Sequence, residues 1–136
     1  MATIYDKVKD YIESLVAGNE IVDAAGTTFT FGTNLFIGIE PDTSIDTITV
    51  TPYGGSAPAV DNQRQNTTIR IRFKTSNKRK ALIVTQAIIN DLHRNELDGN
   101  GLMTANQSSP IIEEILEDGE WIVSISSFNI KHVKVA

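Results

Sequence analysis

The sequence predicts an α+β domain, with one mostly antiparallel sheet of about four to six strands and two helices packed on one face. Three observations carry that prediction. Short segments alternate apolar and polar residues at period two, most plainly Ile69, Ile71 and Phe73 against Arg70, Arg72 and Lys74. Two other segments repeat apolar residues at helical spacing instead, one near the N-terminus and one from about Asn77 to Arg94. Turn signals such as Asp118-Gly119 separate neighbouring runs, as hairpins require.

In chain order, Thr3 and Asp6 resemble a capping box opening a helix that sets Ile4, Val8, Tyr11, Ile12 and Leu15 on one side, and Gly18-Asn19 reads as its stop. Thr28 to Phe31 places Phe29 and Phe31 on one face of a short strand or hairpin arm. Leu35, Ile37 and Ile39 alternate with Phe36, Gly38 and Glu40 until Pro41-Asp42, because proline cannot continue a ladder. Ile45 to Thr51 is a further strand, with Ile48 and Val50 set against Thr47, Thr49 and Thr51. A loop is expected between Pro52 and Asn66, longer than the usual connection of about 4 to 6 residues.

Ser76 is expected to cap the helix from about Asn77 to Arg94. Its apolar residues Ala81, Leu82, Ile83, Val84, Ala87, Ile88, Ile89 and Leu92 cover well over half the circumference, more than one buried face needs. Either the helix lies deep between the sheet and the first helix, or it packs on its sheet with one side and on a neighbouring subunit with the other. Past Arg94 come loops at Asp98-Gly99-Asn100-Gly101 and Asn106 to Pro110, a brief helix or strand over Ile111 to Leu116, and a last strand over Trp121 to Ile130. In that strand Trp121, Val123 and Ile125 hold one parity while Phe128 and Ile130 hold the other, which predicts a bulge near Ser126-Ser127.

At 136 residues the chain is expected to form a single domain, residues 1–136, large enough for one core without staples. There is no cysteine, so neither disulfides nor thiolate metal sites are available. No apolar run approaches the roughly 18 residues of a membrane span, and Met1 to Asp6 has no basic region followed by an apolar one. The expectation is a soluble protein assembled in the cytoplasm, without a membrane partner.

Charge falls in blocks. The formal net charge is -5, yet residues 62–90 hold seven basic side chains (Arg64, Arg70, Arg72, Lys74, Lys78, Arg79, Lys80) and no acid. Residues 95–130 hold seven acids (Glu96, Asp98, Glu113, Glu114, Glu117, Asp118, Glu120) and no lysine or arginine. Solvated faces, or neutralisation within one chain, are the plain reading of such runs. The sharper reading is a subunit interface in which Arg70, Arg72, Lys78 and Arg79 meet Glu113, Glu114 and Glu117 of the next copy in a head-to-tail ring.

Support for chemistry is slight. His93 and His132 are the only histidines and neither has a metal-ligand spacing around it. Asp98-Gly99-Asn100-Gly101 begins like a calcium loop, but Leu102 and Ser109 occupy ligand positions. Tyr53-Gly54-Gly55 is not followed by the Gly-Lys-Ser/Thr of a phosphate loop, and no nucleophile stands beside a base. No enzyme activity, cofactor or metal is expected. Nucleic-acid binding is the rival use of the basic block, and against it stand the acidic total and the lack of interleaved aromatics.

One resemblance gives these features a setting. Gly32-Thr33-Asn34-Leu35-Phe36-Ile37-Gly38, the Pro41-Asp42 stop, Tyr53-Gly54-Gly55, the Ile69 to Phe73 strand and the helix ending Asp91-Leu92-His93 resemble, in order and spacing, the tail terminator and tail completion (minor capsid) proteins of tailed bacteriophages. The resemblance runs from about Leu15 to Leu92; beyond His93 only Gln107-Ser108-Ser109-Pro110 and the closing strand match. It implies a virion structural protein of the tail or neck, a homohexameric ring that caps the tail tube protein, meets the head-tail connector proteins, and lets DNA pass through its lumen without specific binding. Tyr53, Gly54, Gly55, Pro58 and Asp61 are the expected partner-contacting loop, and Asp98 to Pro110 a secondary one. A head completion (connector) protein or a tail tube subunit is the alternative within the class, and a DNA-binding accessory domain the alternative outside it.

Overall fold

The computed structural model describes residues 4–39, 45–55, 64–93, 103–107, 112–115 and 121–133. Among these, the elements run α1 (Ile4–Glu13), α2 (Glu20–Ala25), β1 (Leu35–Ile37), β2 (Thr47–Gly55), β3 (Arg64–Thr75), α3 (Lys78–Leu92), β4 (Met103–Gln107), β5 (Ile112–Ile115) and β6 (Ile122–Val133). The strands form one six-stranded sheet in the order β1-β2-β3-β6-β4, with β5 also paired to β6. Only β1 and β2 run parallel. The α+β class and the mostly antiparallel sheet are as the sequence predicts, with three helices in place of two.

β3 and β6 form the spine, paired without a break from Arg64 opposite Val133 to Thr75 opposite Ile122. Residues directly opposite one another share a face. Ile69, Ile71 and Phe73 therefore align with Phe128, Ser126 and Ser124, while Arg70, Arg72 and Lys74 align on the other face with Ser127, Ile125 and Val123. The first face is the core side, where Leu35, Ile48, Val50, Ile69, Ile71, Phe73, Phe128 and Ile130 join one cluster with residues of all three helices. α1 packs over β1 and β2, α3 over β3, β6 and β4, and α2 against α3.

The expected bulge at Ser126-Ser127 is not there. The parity change in β6 arises because both of its faces are buried: Phe128 and Ile130 point to the helices, and Val123 and Ile125 are buried on the opposite side. The irregularity lies on the neighbouring edge instead. Gln107 of β4 stands opposite Phe128 and Ile112 of β5 opposite Ile125, so the two strands are separated by four residues in sequence where their partners on β6 are separated by two. A second shift interrupts β2 between Pro52 and Gly55.

Several local expectations change. Asn19 does not stop α1 but starts α2, its side chain accepting from the Ile21 N–H at 2.9 Å. Gly26, at φ 75, closes α2 by donating its N–H to the Val22 carbonyl. Thr28 to Phe31 is no strand, since Phe29 is buried while Phe31 is 49% exposed. Asn34 braces a turn there, accepting from Thr30 N–H at 2.7 Å and donating to the Thr28 carbonyl at 2.9 Å. β1 ends at Ile37, where Gly38 turns away at φ 88, and Ile39 is exposed rather than part of the alternation.

Asn77, not Ser76, caps α3, accepting from Lys80 N–H at 3.1 Å. The expected Pro52 to Asn66 loop is narrower, because Tyr53 to Gly55 belong to β2 and Arg64 to Asn66 to β3. Met103 to Gln107, expected as loop, forms β4, and Ile111 to Leu116 resolves to strand over Ile112–Ile115. Pro41-Asp42, Pro58, Asp61, Asp98 to Gly101, Ser108 to Pro110, Glu117 and Asp118-Gly119 lie outside the described residues, as does Thr3 of the proposed capping box.

Candidate functional site

The inward side of α3 is sealed by its own domain, since Ala81, Val84, Thr85, Ala87, Ile88, Ile89 and Leu92 are buried. A polar network ties its other flank to the neighbouring helices. The Tyr11 hydroxyl donates to Asp91 Oδ2 at 2.6 Å, Gln86 Nε2 donates to Asn90 Oδ1 at 2.9 Å, and Asn90 Nδ2 donates to Glu20 Oε1 at 3.1 Å. Lys78, Arg79, Leu82, Ile83 and Gln86 are left facing outward.

Three cations open α3 with no acid in its first turn, where the helix dipole disfavours positive charge. Lys80 is compensated within the chain, its Nζ 2.5 Å from Asp46 Oδ2. Lys78 and Arg79 are exposed and form no ion pair among the described residues. Beside them Leu82 and Ile83 keep 43% and 46% of their surface in water. The sequence does not reveal this, because a broad apolar helix looks the same whether its excess faces a partner or the core.

Arg70 and Arg72 stand elsewhere. They are half-buried on the sheet face opposite the helices, in cross-strand rows Thr51-Arg70-Ser127 and Thr49-Arg72-Ile125-Ile112. The next row, Thr47-Lys74-Val123-Glu114, contains a lysine only 4% exposed whose ammonium lies 5.2 Å from the centroid of the Trp121 ring. The four basic residues grouped by the sequence are thus divided between the outer sheet face and the start of α3. Glu114 takes a register position on the same face as Arg70 and Arg72, and Glu113 takes the alternate one, opposite Ser124.

A smaller surface cluster forms where α1 meets the turn before β1. Glu13 Oε2 accepts from Phe31 N–H at 2.6 Å, and Lys9 Nζ lies 4.8 Å from the Phe31 ring centroid. The hydrogen bond from Lys9 to Asp10, 2.5 Å away, holds the lysine above its ordinary pKa, so it stays charged throughout the physiological range. Among the described residues, no group of three or more His, Cys, Asp or Glu is placed to hold a metal ion, and no helix is long and apolar enough to cross a membrane. His93 ends α3, donating its N–H to the Ile89 carbonyl at 2.8 Å, and His132 lies on β6 opposite Gln65 and Met103.

The sequence profile of the bacteriophage tail terminator protein family matches residues 15–131. The chain belongs to that family. As a tail terminator family member it is a structural component of a phage virion. The match extends past α3 through β4, β5 and nearly all of β6, the part in which the short motifs are weakest. Among solved structures, a chain of "Virion of native gene transfer agent (GTA) particle" has the same fold, with a TM-score of 0.65 at 12% sequence identity, covering 96% of this chain and 95% of that chain. No curated protein matches.

Proposed function

We propose that this chain caps the tail tube as a closed ring of six copies, forms the joint between head and tail, and leaves a central passage for DNA. The observation that carries the reading is the family match over residues 15–131. The fold suits it: the sheet has two unlike flanks, a three-residue parallel strand at one side and the β4/β5 line at the other, so copies related by rotation meet through different surfaces. The net charge of -5 favours a lumen that does not retain a passing polyanion. The partners proposed are further copies of the chain, the tail tube protein and the head-tail connector proteins, met in the host cytoplasm where virions assemble.

For docking to those partners, the β2/β3 hairpin is the proposed element. β1 covers β2 only from Ile48 to Val50, so Thr51 to Gly55 continue past it with β3 as their single strand neighbour among the described residues. Tyr53, Gly54 and Gly55 lie on that extension, with Pro58 and Asp61 in the connection that follows.

Native mass spectrometry followed by negative-stain imaging of the purified chain tests the proposal. A closed six-fold ring with a central hole is expected. Open stacks of indefinite length, or a chain that stays monomeric at every concentration, would contradict it.

A further inference from the structure

We propose that the outward face of α3 is a docking surface for a second copy of this chain, which enters with its acidic β5 edge; the inference rests on the ring reading above. The face combines two properties that a solvated helix back does not need. Lys78 and Arg79 have no ion pair among the described residues, and Leu82 and Ile83 lie exposed one turn further along. A partner for such a stripe has to be acidic and aliphatic together.

The chain itself supplies that chemistry. Residues 95–130 contain no lysine or arginine, and within them β5 reads Ile-Glu-Glu-Ile, two glutamates flanked by two isoleucines. β5 is hydrogen-bonded to β6 along one edge and has no strand on its other edge among the described residues. Among the described residues it stands at the side of the sheet.

Level along the axis agrees as well. Rotational symmetry contains no translation, so two patches that meet head to tail around a ring must lie at one height along its axis. Thr75, three residues before α3 begins, stands opposite Ile122, and Ile122 also stands opposite Ile115 at the end of β5. The start of α3 and the end of β5 are therefore at the same end of the sheet. With the axis running along the strands, the basic patch of one copy is level with the acidic edge of the next. Arg70 and Arg72 are not part of this contact, because they occupy the sheet face turned away from α3.

Two variants test the pairing by native mass spectrometry: Lys78→Glu/Arg79→Glu and Glu113→Lys/Glu114→Lys. Each alone sets like charges against each other and is expected to lose rings. Mixed in equal amounts they restore opposite charges at every contact of an alternating ring, so rings containing equal numbers of both are expected to return. Leu82→Ser/Ile83→Ser keeps the charges and is expected to weaken assembly at least tenfold while the monomer stays folded, since neither residue belongs to the core cluster. Because these two positions are exposed, that variant decides the matter even if the β5 reversal impairs folding.

Rings from either charge variant alone, or unaltered assembly of Leu82→Ser/Ile83→Ser, would overturn the inference while leaving the ring reading standing. A wild-type chain without rings counts against the ring reading itself. Duplex DNA retained by wild type and released by Lys78→Glu/Arg79→Glu, with rings intact, would reassign the face to nucleic acid.

Discussion

Along α3, Ala81, Val84, Ile88 and Leu92 have almost no contact with water, whereas Leu82 and Ile83, their immediate neighbours in sequence, keep 43% and 46% of their surface exposed. The inward residues are held by the sheet: Val84, Ile88 and Leu92 share a cluster with Ile69, Ile71, Phe73, Phe128 and Ile130. Neither Leu82 nor Ile83 belongs to that cluster. The comparison separates two sides of one helix, one built into the stability of the domain and the other left at its surface. A chain only 12% identical can have the same fold because packing asks for the pattern and volume of the inward side rather than for particular residues.

Substitutions on the two sides should then differ in kind. The largest effect belongs to Ile88→Ala, which removes a fully buried side chain and leaves a cavity; about 2–5 kcal/mol of stability should be lost, read as a lower denaturant midpoint at constant slope. Asn77→Ala deprives Lys80 N–H of its capping acceptor and should cost about 1 kcal/mol by the same measurement. Asp46→Asn breaks the partly screened pair with Lys80 and should cost less than about 1 kcal/mol, with a difference from wild type that shrinks as salt is added.

The last stability change has the opposite sign. Lys78→Glu/Arg79→Glu replaces cations with anions at a helix N-terminus, so thermal unfolding of the monomer should show a gain of about 0.3–1 kcal/mol per site at low salt. A variant that is more stable yet fails to assemble cannot be explained by misfolding. An equal loss of stability from outward and inward substitutions would erase the comparison.

How much of this was legible depends on how local each cause is. Ile69, Ile71 and Phe73 declare β3 by strict alternation, and the length of the α3 pattern exceeds anything a strand supports. Asn19 was ambiguous because asparagine serves both ends of helices. The deciding signal was Glu20 and Asp23 immediately after it, the acids favoured in a first turn. Met103 to Gln107 is short and polar, and becomes a strand only because β6 offers an edge to pair with, a long-range cause with no local trace. Phe29 and Phe31 alternate like strand residues, but the turn held by Asn34 overrides that pattern.

The candidate surface was half visible. The basic and acidic blocks are plain in the sequence, and so is the excess of apolar residues on α3. Their division in space was not. Arg70 and Arg72 precede Lys78 and Arg79 by only a few residues, but the turn at Ser76-Asn77 sends α3 back over the core side of the sheet while the arginines stay on the other.

The central claim, that the chain works by fitting surfaces together to end a tube, is tested most directly by adding it below stoichiometric amounts to a polymerising tail tube protein and imaging the products. Tubes arrested in length, with the added chain found only at one end, are expected. Tubes of unchanged length, or carrying the chain along their whole wall, would contradict it.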